Sequence, residues 1–468
     1  MDQILNKQHV FDRLDPLWPE ALLESIQRHV AQSSRKLVVL DDDPTGAQTV
    51  HGLALLSEWS VDKLTTELQQ SDTFFVLTNS RSLPSQDAQT LALEIGQNLR
   101  QAAALAGVEI AVLSRSDSTL RGHYPTEVDA LAQGLDRDID ATILVPFFDA
   151  GGRYTIDNVH YVQQGEDLVP AAQTEFAQDP VFPFSHSLMP AYIEEKTSGN
   201  IAADQVVCIG LEVLRTQGPQ AVTEILMGAP KGTAIVVNGA DARDIEVFVM
   251  GLLEAENRGR HYIYRTAADF VRVRAGITTK PLLAPEELAV DTHQGGLMIV
   301  GSHVAKSTEQ LSYVLELTGV ERVEIPVAEL LDNTAQAGVL ATIGAEIAEK
   351  LDAGKTVVAY TSRTLQAGAT PEETLLIGKT VSDSICEMVR QLPAQPRFLI
   401  AKGGITSNDV ATKGLGVKRA FVLGQLQPGV PVWETGPESK FPGMRYVIYP
   451  GNVGSPQGLA DAIKSFGG

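Results

Sequence analysis

Short apolar runs recur along the chain, each followed by a polar signature and then by a stretch with helical spacing. The runs are Leu37–Leu40, Phe74–Leu77, Ile110–Leu113, Thr142–Val145 and Ala234–Val237. Later come Leu297–Val300, Thr356–Tyr360, Phe398–Ile400, Ala420–Leu423 and Tyr446–Ile448. Between them Asp87–Ala106, Lys306–Leu317, Thr334–Leu351 and Glu372–Gln391 read as helices. Strands that alternate with helices predict the α/β class with parallel sheets. The strands outnumber what one compact sheet usually carries, so the pattern predicts two domains, each a mainly parallel sheet flanked by helices.

The length of 468 residues agrees with more than one core. Both periodicities break over Ala275–Gly296, where Pro281, Pro285, Gly295 and Gly296 fall. The expected organisation is an extension over 1–35, a domain over 36–275, a linker over 276–295 and a second domain over 296–468. Phe147–Gly199, rich in Gly, Pro, Asp and His, shows no clear periodicity and is expected to be irregular. Segments of that length are usually functional or run over a partner surface.

Charge narrows the partners. The formal net charge is −21, which argues against general binding to nucleic acid or to an anionic membrane. An anionic substrate therefore needs a local cluster of Arg, Lys and backbone N–H groups. Cys208 and Cys386 lack paired or metal-type spacing and read as small hydrophobes in a reducing compartment. No apolar run approaches the roughly 18 residues of a membrane span, and Met1–Arg35 has no signal core, so a cytoplasmic protein is expected.

The chemistry gathers behind the strands. Asp41-Asp42-Asp43-Pro44-Thr45-Gly46 follows the first run directly. Three adjacent carboxylates repel and need protons, a cation or donors to hold them. Thr78-Asn79-Ser80-Arg81 follows the second run, and Ser114-Arg115-Ser116-Asp117-Ser118-Thr119-Leu120-Arg121-Gly122-His123 the third. Strand ends of a parallel sheet converge on one edge, which would bring Arg81, Arg115 and Arg121 to Asp42 and Asp43. Arginines, hydroxyls and spare carboxylates together suit a small hydroxylated acid.

A fourth strand end carries Gly152 and Arg153, read equally well as a glycine turn with a surface Arg. In the second half, Lys402-Gly403-Gly404-Ile405-Thr406-Ser407 is a strand, a glycine turn and a helix start, able to offer free N–H groups to phosphate. Tyr449-Pro450-Gly451-Asn452-Val453-Gly454 is a second glycine loop, and Gly301-Ser302-His303 and Tyr360-Thr361-Ser362-Arg363 are further turns. Several such turns suit a mononucleotide, whereas no acidic residue follows at the position a dinucleotide fold requires. Histidine spacing offers no zinc site, and no serine nucleophile elbow is present.

From about Lys36 to the C-terminus these motifs resemble the four-carbon acid sugar kinase family. Asp42-Asp43-Pro44-Thr45-Gly46-Ala47, Thr78–Arg81, Asp117–Gly122, Gly152–Thr155, Gly403–Ser407 and Pro450–Gly454 match its motifs in order. Asp41, Val304 and Asn158 depart from its pattern, standing where a small residue, a serine and a glycine are common. The resemblance implies an N-terminal domain for the sugar acid, a C-terminal domain for ATP, and an active site in the cleft between them. It implies phosphorylation of a tetronate or 3-oxo-tetronate, with Asp42 or Asp43 orienting or deprotonating the hydroxyl. Thr45, Gly46, Arg81, Arg115, Asp117, Ser118, Arg121, Gly152 and Arg153 would bind the acid. Ser302, Lys402, Gly403, Gly404, Ile405, Thr406, Ser407, Gly451, Asn452 and Gly454 would bind the nucleotide. Mg2+ would bridge ATP oxygens without a dedicated protein site. A homodimer is the assembly left open. Two rival readings remain: a magnesium-dependent aldolase or dehydratase acting without ATP, and a non-catalytic binding protein of the same fold.

Overall fold

The computed structural model describes residues 3–332, 334–364, 366, 368, 370–451 and 453–467. They form two compact units, one of residues 1–50 and 58–279, the other of 51–57 and 280–468. All the apolar runs noted above are strands, and each unit is an α/β sheet flanked by helices.

In the first unit the main sheet is parallel throughout. Its order is Val207–Ile209, Thr233–Val237, Ala141–Val145, Tyr262–Thr266, Glu109–Arg115, Arg35–Asp41 and Thr73–Leu77. Register decides what this sheet can do. Asp41 pairs with both Leu77 and Arg115, Arg115 with Thr266, and Thr266 with Val145. Five strands therefore end level, and their polar signatures open at one edge.

Phe147–Gly199, expected to be irregular, supplies three strands of a small antiparallel sheet ordered Leu5–Asn6, Asp167–Pro170, Val159–Gln164 and Arg153–Ile156. The hairpin of the last two strands turns on Asp157 and Asn158, both at positive φ (50° and 64°). That is the two-residue turn whose twist fits a hairpin, and Asn is the non-glycine residue that tolerates it best. The departure at Asn158 is thereby met. The short strands escape pattern reading because each has only four to six residues.

Of the segment 1–35, expected as an extension, residues 3–35 are built into this unit. Leu5–Asn6 supplies the edge strand, and Leu23–Gln32 is a helix that packs on Ala242–Asn257 through the fully buried Ile26. Arg215 donates to the Asp15 carbonyl at 2.8 Å, and Arg243 to the Trp18 carbonyl at 3.1 Å.

The second unit joins Leu53–Leu56, Arg419–Gln427, Val430–Thr435 and Arg445–Tyr449 by antiparallel pairing. Phe398–Lys402, Leu297–Val300, Thr356–Thr361 and Val320–Ile325 continue it in parallel. The expected domain span of 36–275 is thus not continuous, because 51–57 leave it to pair with Arg419–Gln427. Most of the expected linker belongs here too: Leu283 and Leu288 enter the core beside Met298, Val300 and Phe398. Val300 pairs with Lys402 and Tyr360, and Lys402 with Tyr449, so the glycine turns also leave the sheet at one level. Among the described residues, no helix is long and apolar enough to cross a membrane.

Candidate active site

The first unit resolves the three-carboxylate problem by giving each aspartate a different partner. Asp41 is fully buried at its strand end and accepts from Arg115 Nη1 at 3.2 Å. Its other oxygen has no hydrogen-bond partner. Burial raises this carboxyl to about 7; Arg115 opposes the rise, and Asp42 and Asp43 add to it. A Cβ on Gly46 would strike the Asp41 carboxylate, which is why glycine stands there.

Asp42 is 3% exposed and fully engaged. Arg81 grips both its oxygens, with Nη2 on Oδ1 and Nε 3.2 Å from Oδ2. Ser116 Oγ donates to Oδ2 at 2.6 Å, and Arg265 Nη2 stands 4.0 Å away. Burial pushes this carboxyl up, but Arg81, Arg265 and Arg115 outweigh burial and hold it below its ordinary value.

Asp43 is the open member. Oδ1 accepts from the Thr45 amide at 2.8 Å and from the Thr45 hydroxyl, closing a turn. Oδ2 meets only the far edge of Arg81, at 3.5 Å, and the side chain keeps 23% of its exposure.

Beside this pair lies a second cluster of charge. Arg121 Nε donates to Asp117 Oδ2 at 2.7 Å and its Nη1 approaches Asp179 at 3.5 Å. Burial pushes the Asp117 carboxyl up, yet Arg81 and Arg121 hold it well below the usual range. The guanidinium groups of Arg121 and Arg153 lie over one ring, Phe176, at 5.0 and 5.6 Å from its centroid. Among the described residues no carboxylate lies within ion-pair distance of Arg153. Its Nη1 binds the Gly151 carbonyl, and its buried Nε has no partner. Two cations on one ring, one of them with Asp117 and Glu175 near but not in ion-pair contact, make a place for an anion.

Other expected ligands are engaged within the fold. Arg115 is buried against Asp41. Thr45 is spent on Asp43, and Ser118 offers its carbonyl to His160 Nε2 at 2.8 Å. His160 Nδ1 accepts from Thr155 Oγ1 at 2.9 Å; burial lowers this imidazole to about 4, so it is neutral and satisfied. Gly152, at φ +67°, sets the turn before Arg153.

In the second unit a cavity of about 480 Å³ gathers most of the expected nucleotide residues. Ser302, Gly403, Gly404, Ile405, Thr406 and Gly451 line it, opposite apolar side chains of Ile377, Val381 and Ile385. Ser407 N–H makes the first intrahelical bond, to the Gly403 carbonyl at 2.8 Å, so the amides of Gly404, Ile405 and Thr406 precede it. Volume, apolar wall and free amides fit a nucleotide.

Lys402 and Ser407 do not line this cavity. Lys402 is fully buried, donating to the carbonyls of Pro450 (2.6 Å) and Gly451 (3.0 Å) over the Tyr449 ring. Burial, helped by Lys306, lowers its ammonium to about 7. The Ser407 hydroxyl is spent on the carbonyls of Ala401 and Gly403. Gly454, at φ +88°, lies against the Tyr449 hydroxyl. Asn452 lies outside the described residues. No cluster of metal-ligating side chains occurs among the described residues.

Sequence reasoning missed Arg265, Ser116 and Phe176. Arg265 is hidden inside Tyr262–Thr266, a strand whose charged residue disguises it, although it is buried and bonds Glu127 at 3.2 Å. Ser116 stood in a quoted motif without a role. Phe176 lies in Phe147–Gly199, where no pattern marked it.

Comparison with known proteins agrees with this division. Residues 37–274 match the family of sugar-binding N-terminal domains, and residues 297–459 the family of nucleotide-binding C-terminal domains. The chain is 26% identical over 331 residues to the D-erythronate kinase of Heliobacterium modesticaldum, covering 68% of each protein. It is 32% identical over 126 residues to the D-threonate kinase of Bordetella bronchiseptica, covering 27% of this chain and 29% of that one. Two solved structures share the fold. One, described as a putative tRNA synthase of Salmonella typhimurium LT2, has a TM-score of 0.68 at 17% identity, covering 92% of this chain and 99% of that one. The other, from Haemophilus influenzae, has a TM-score of 0.62 at 18% identity, with 92% and 100% covered.

Proposed function

The chain belongs to the four-carbon acid sugar kinase family, and from that premise we propose that it transfers a phosphoryl group from ATP to a hydroxyl of a tetronate or 3-oxo-tetronate. One observation carries the reading: a partly open carboxylate, Asp43, stands in the same charge cluster as Arg81, Asp117, Arg121 and Arg153.

Phosphoryl transfer asks for positioning and charge neutralisation more than for covalent chemistry. Arg121 and Arg153 hold the substrate carboxylate, with Asp117 ionised to orient Arg121. Asp43 Oδ2 accepts a hydrogen bond from the acceptor hydroxyl and takes its proton as the oxygen bonds to phosphorus. Asp42, saturated by Arg81, Ser116 and Arg265, fixes the Arg81 guanidinium beside Asp43. The amides of Gly404, Ile405 and Thr406 bind phosphate oxygens, and ADP leaves. Mg2+ entering with the nucleotide would supply charge neutralisation, the described residues offering no cluster of ligating side chains of their own.

A coupled ADP-release screen with Mg-ATP across erythronate, threonate and 3-oxo-tetronate stereoisomers tests the reading. At least one acid should drive ADP release; silence with every one of them rejects it.

A further inference from the structure

We propose that the N-terminal segment, through Lys7, positions Arg153 for the sugar acid; this rests on the reading that Arg153 binds the acid. Lys7 lies outside the matched domains, which begin at residue 37. The pairing of Leu5–Asn6 with Asp167–Pro170 brings it onto the small sheet, where its amide donates to the Glu166 carbonyl at 2.9 Å. Its ammonium then reaches both flanks of Arg153.

On one flank Lys7 Nζ donates to the hydroxyl of Tyr154, the next residue, at 2.8 Å. That hydroxyl donates in turn to Asp149 Oδ1 at 3.0 Å, at the start of the turn leading into Gly152 and Arg153. Asp149 is itself pinned, its amide donating to Asp269 Oδ2 at 2.7 Å. On the other flank Lys7 Nζ donates to Gln163 Oε1 at 3.0 Å. The Gln163 backbone N–H donates to the Gly152 carbonyl at 2.8 Å. The ammonium also sits 4.7 Å from the Tyr154 ring centroid and 5.0 Å from that of Phe11, so its own segment encloses it.

Arg153 needs such external support. Among the described residues no carboxylate stands within ion-pair distance to fix it, its Nη1 is held by the Gly151 carbonyl of its own turn, and its guanidinium shares Phe176 with a second cation. Where the Phe148–Arg153 turn sits therefore sets how far Arg153 reaches, and Lys7 ties that turn from both sides. Lys7 is a positioning residue, acting through Tyr154 and Gln163.

The test compares Lys7→Met, Lys7→Arg, Asp149→Asn, the Lys7→Met/Asp149→Asn double variant and Arg153→Ala in the full chain. KM for the acid, KM for ATP, kcat and Tm are measured for each. Losing both charge-assisted links should raise the acid KM about tenfold in Lys7→Met, with ATP KM and kcat within about twofold. Lys7→Arg should restore it. The double variant should cost no more than the larger single one, because both cut one chain of contacts. Acid KM unchanged in Lys7→Met but raised in Arg153→Ala overturns the proposal and leaves the kinase reading standing. Equal loss of acid and ATP affinity in step with Tm also overturns it, since that marks a merely structural residue. An acid KM unmoved by Arg153→Ala removes the premise itself.

Discussion

Arg81 binds both carboxylate oxygens of Asp42 but reaches Asp43 only at 3.5 Å. One guanidinium thus saturates the first carboxylate and leaves an oxygen of the second for a ligand. Asp43→Asn should lower kcat by about 100-fold or more, the usual scale for a general base, with ATP KM within about twofold. Asp42→Asn should act differently, loosening Arg81 and Ser116 and so raising the acid KM and lowering Tm. Steady-state kinetics on both variants separate the roles. Near-normal turnover by Asp43→Asn would refute the base assignment.

Asp41 makes stability depend on pH. Its folded value of about 7 stands above the ordinary 3.8, so the native state binds the proton more tightly than the unfolded chain. This contribution is complete below the unfolded value, declines as pH rises, and is gone above about 7. Asp41→Asn cannot ionise and should lack this component. Urea melts between pH 5 and 8 should show the advantage of Asp41→Asn over wild type growing with pH; a constant difference contradicts the assignment.

Lys402 supports the carbonyls of Pro450 and Gly451 and stands outside the lining of the cavity. Lys402→Met takes the Lys402 donor from the buried Pro450 carbonyl, a loss of about 1–3 kcal/mol, and leaves the Gly451 carbonyl with the longer bond from Ser307 Oγ at 3.3 Å. The expected outcome is a raised ATP KM and a lower Tm, with acid affinity in a direct titration unchanged. Unaltered ATP KM would show that the turn holds without it.

Gly122 sits at φ +114°, and a Cβ there would come 3.1 Å from Asp42 Oδ2 and 2.9 Å from Ser116 Oγ, and would strike Arg265. Gly122→Ala combines backbone strain of about 1–3 kcal/mol with displacement of the groups around Asp42. Tm and kcat should both fall, and ATP affinity should not.

The strand framework was legible because buried parallel strands are short apolar runs, and Leu37–Leu40 or Phe398–Ile400 allow no other pattern. The polar ends were legible as chemistry, since carboxylates such as Asp42 and Asp43 need the cations that level strand ends deliver. What stayed hidden is orientation. Arg115 and Arg121 stand in one motif, yet Arg115 points beneath Asp41 and Arg121 lies over Phe176. Lys402 and Ser407 look like phosphate ligands, but Lys402 at the buried strand end and Ser407 in the first turns of the following helix both donate to backbone carbonyls. The 1–35 segment carries no long apolar run, so neither its edge strand nor the reach of Lys7 could be read before the fold was seen.

The central claim is the transfer itself, and phosphorus NMR of the full chain with Mg-ATP and erythronate or threonate follows it directly. The predicted result is a new phosphomonoester resonance growing in step with ADP, present with wild type and lost with Asp43→Asn. An acid altered while ATP stays intact, or ADP and inorganic phosphate formed without any phosphomonoester, would contradict it.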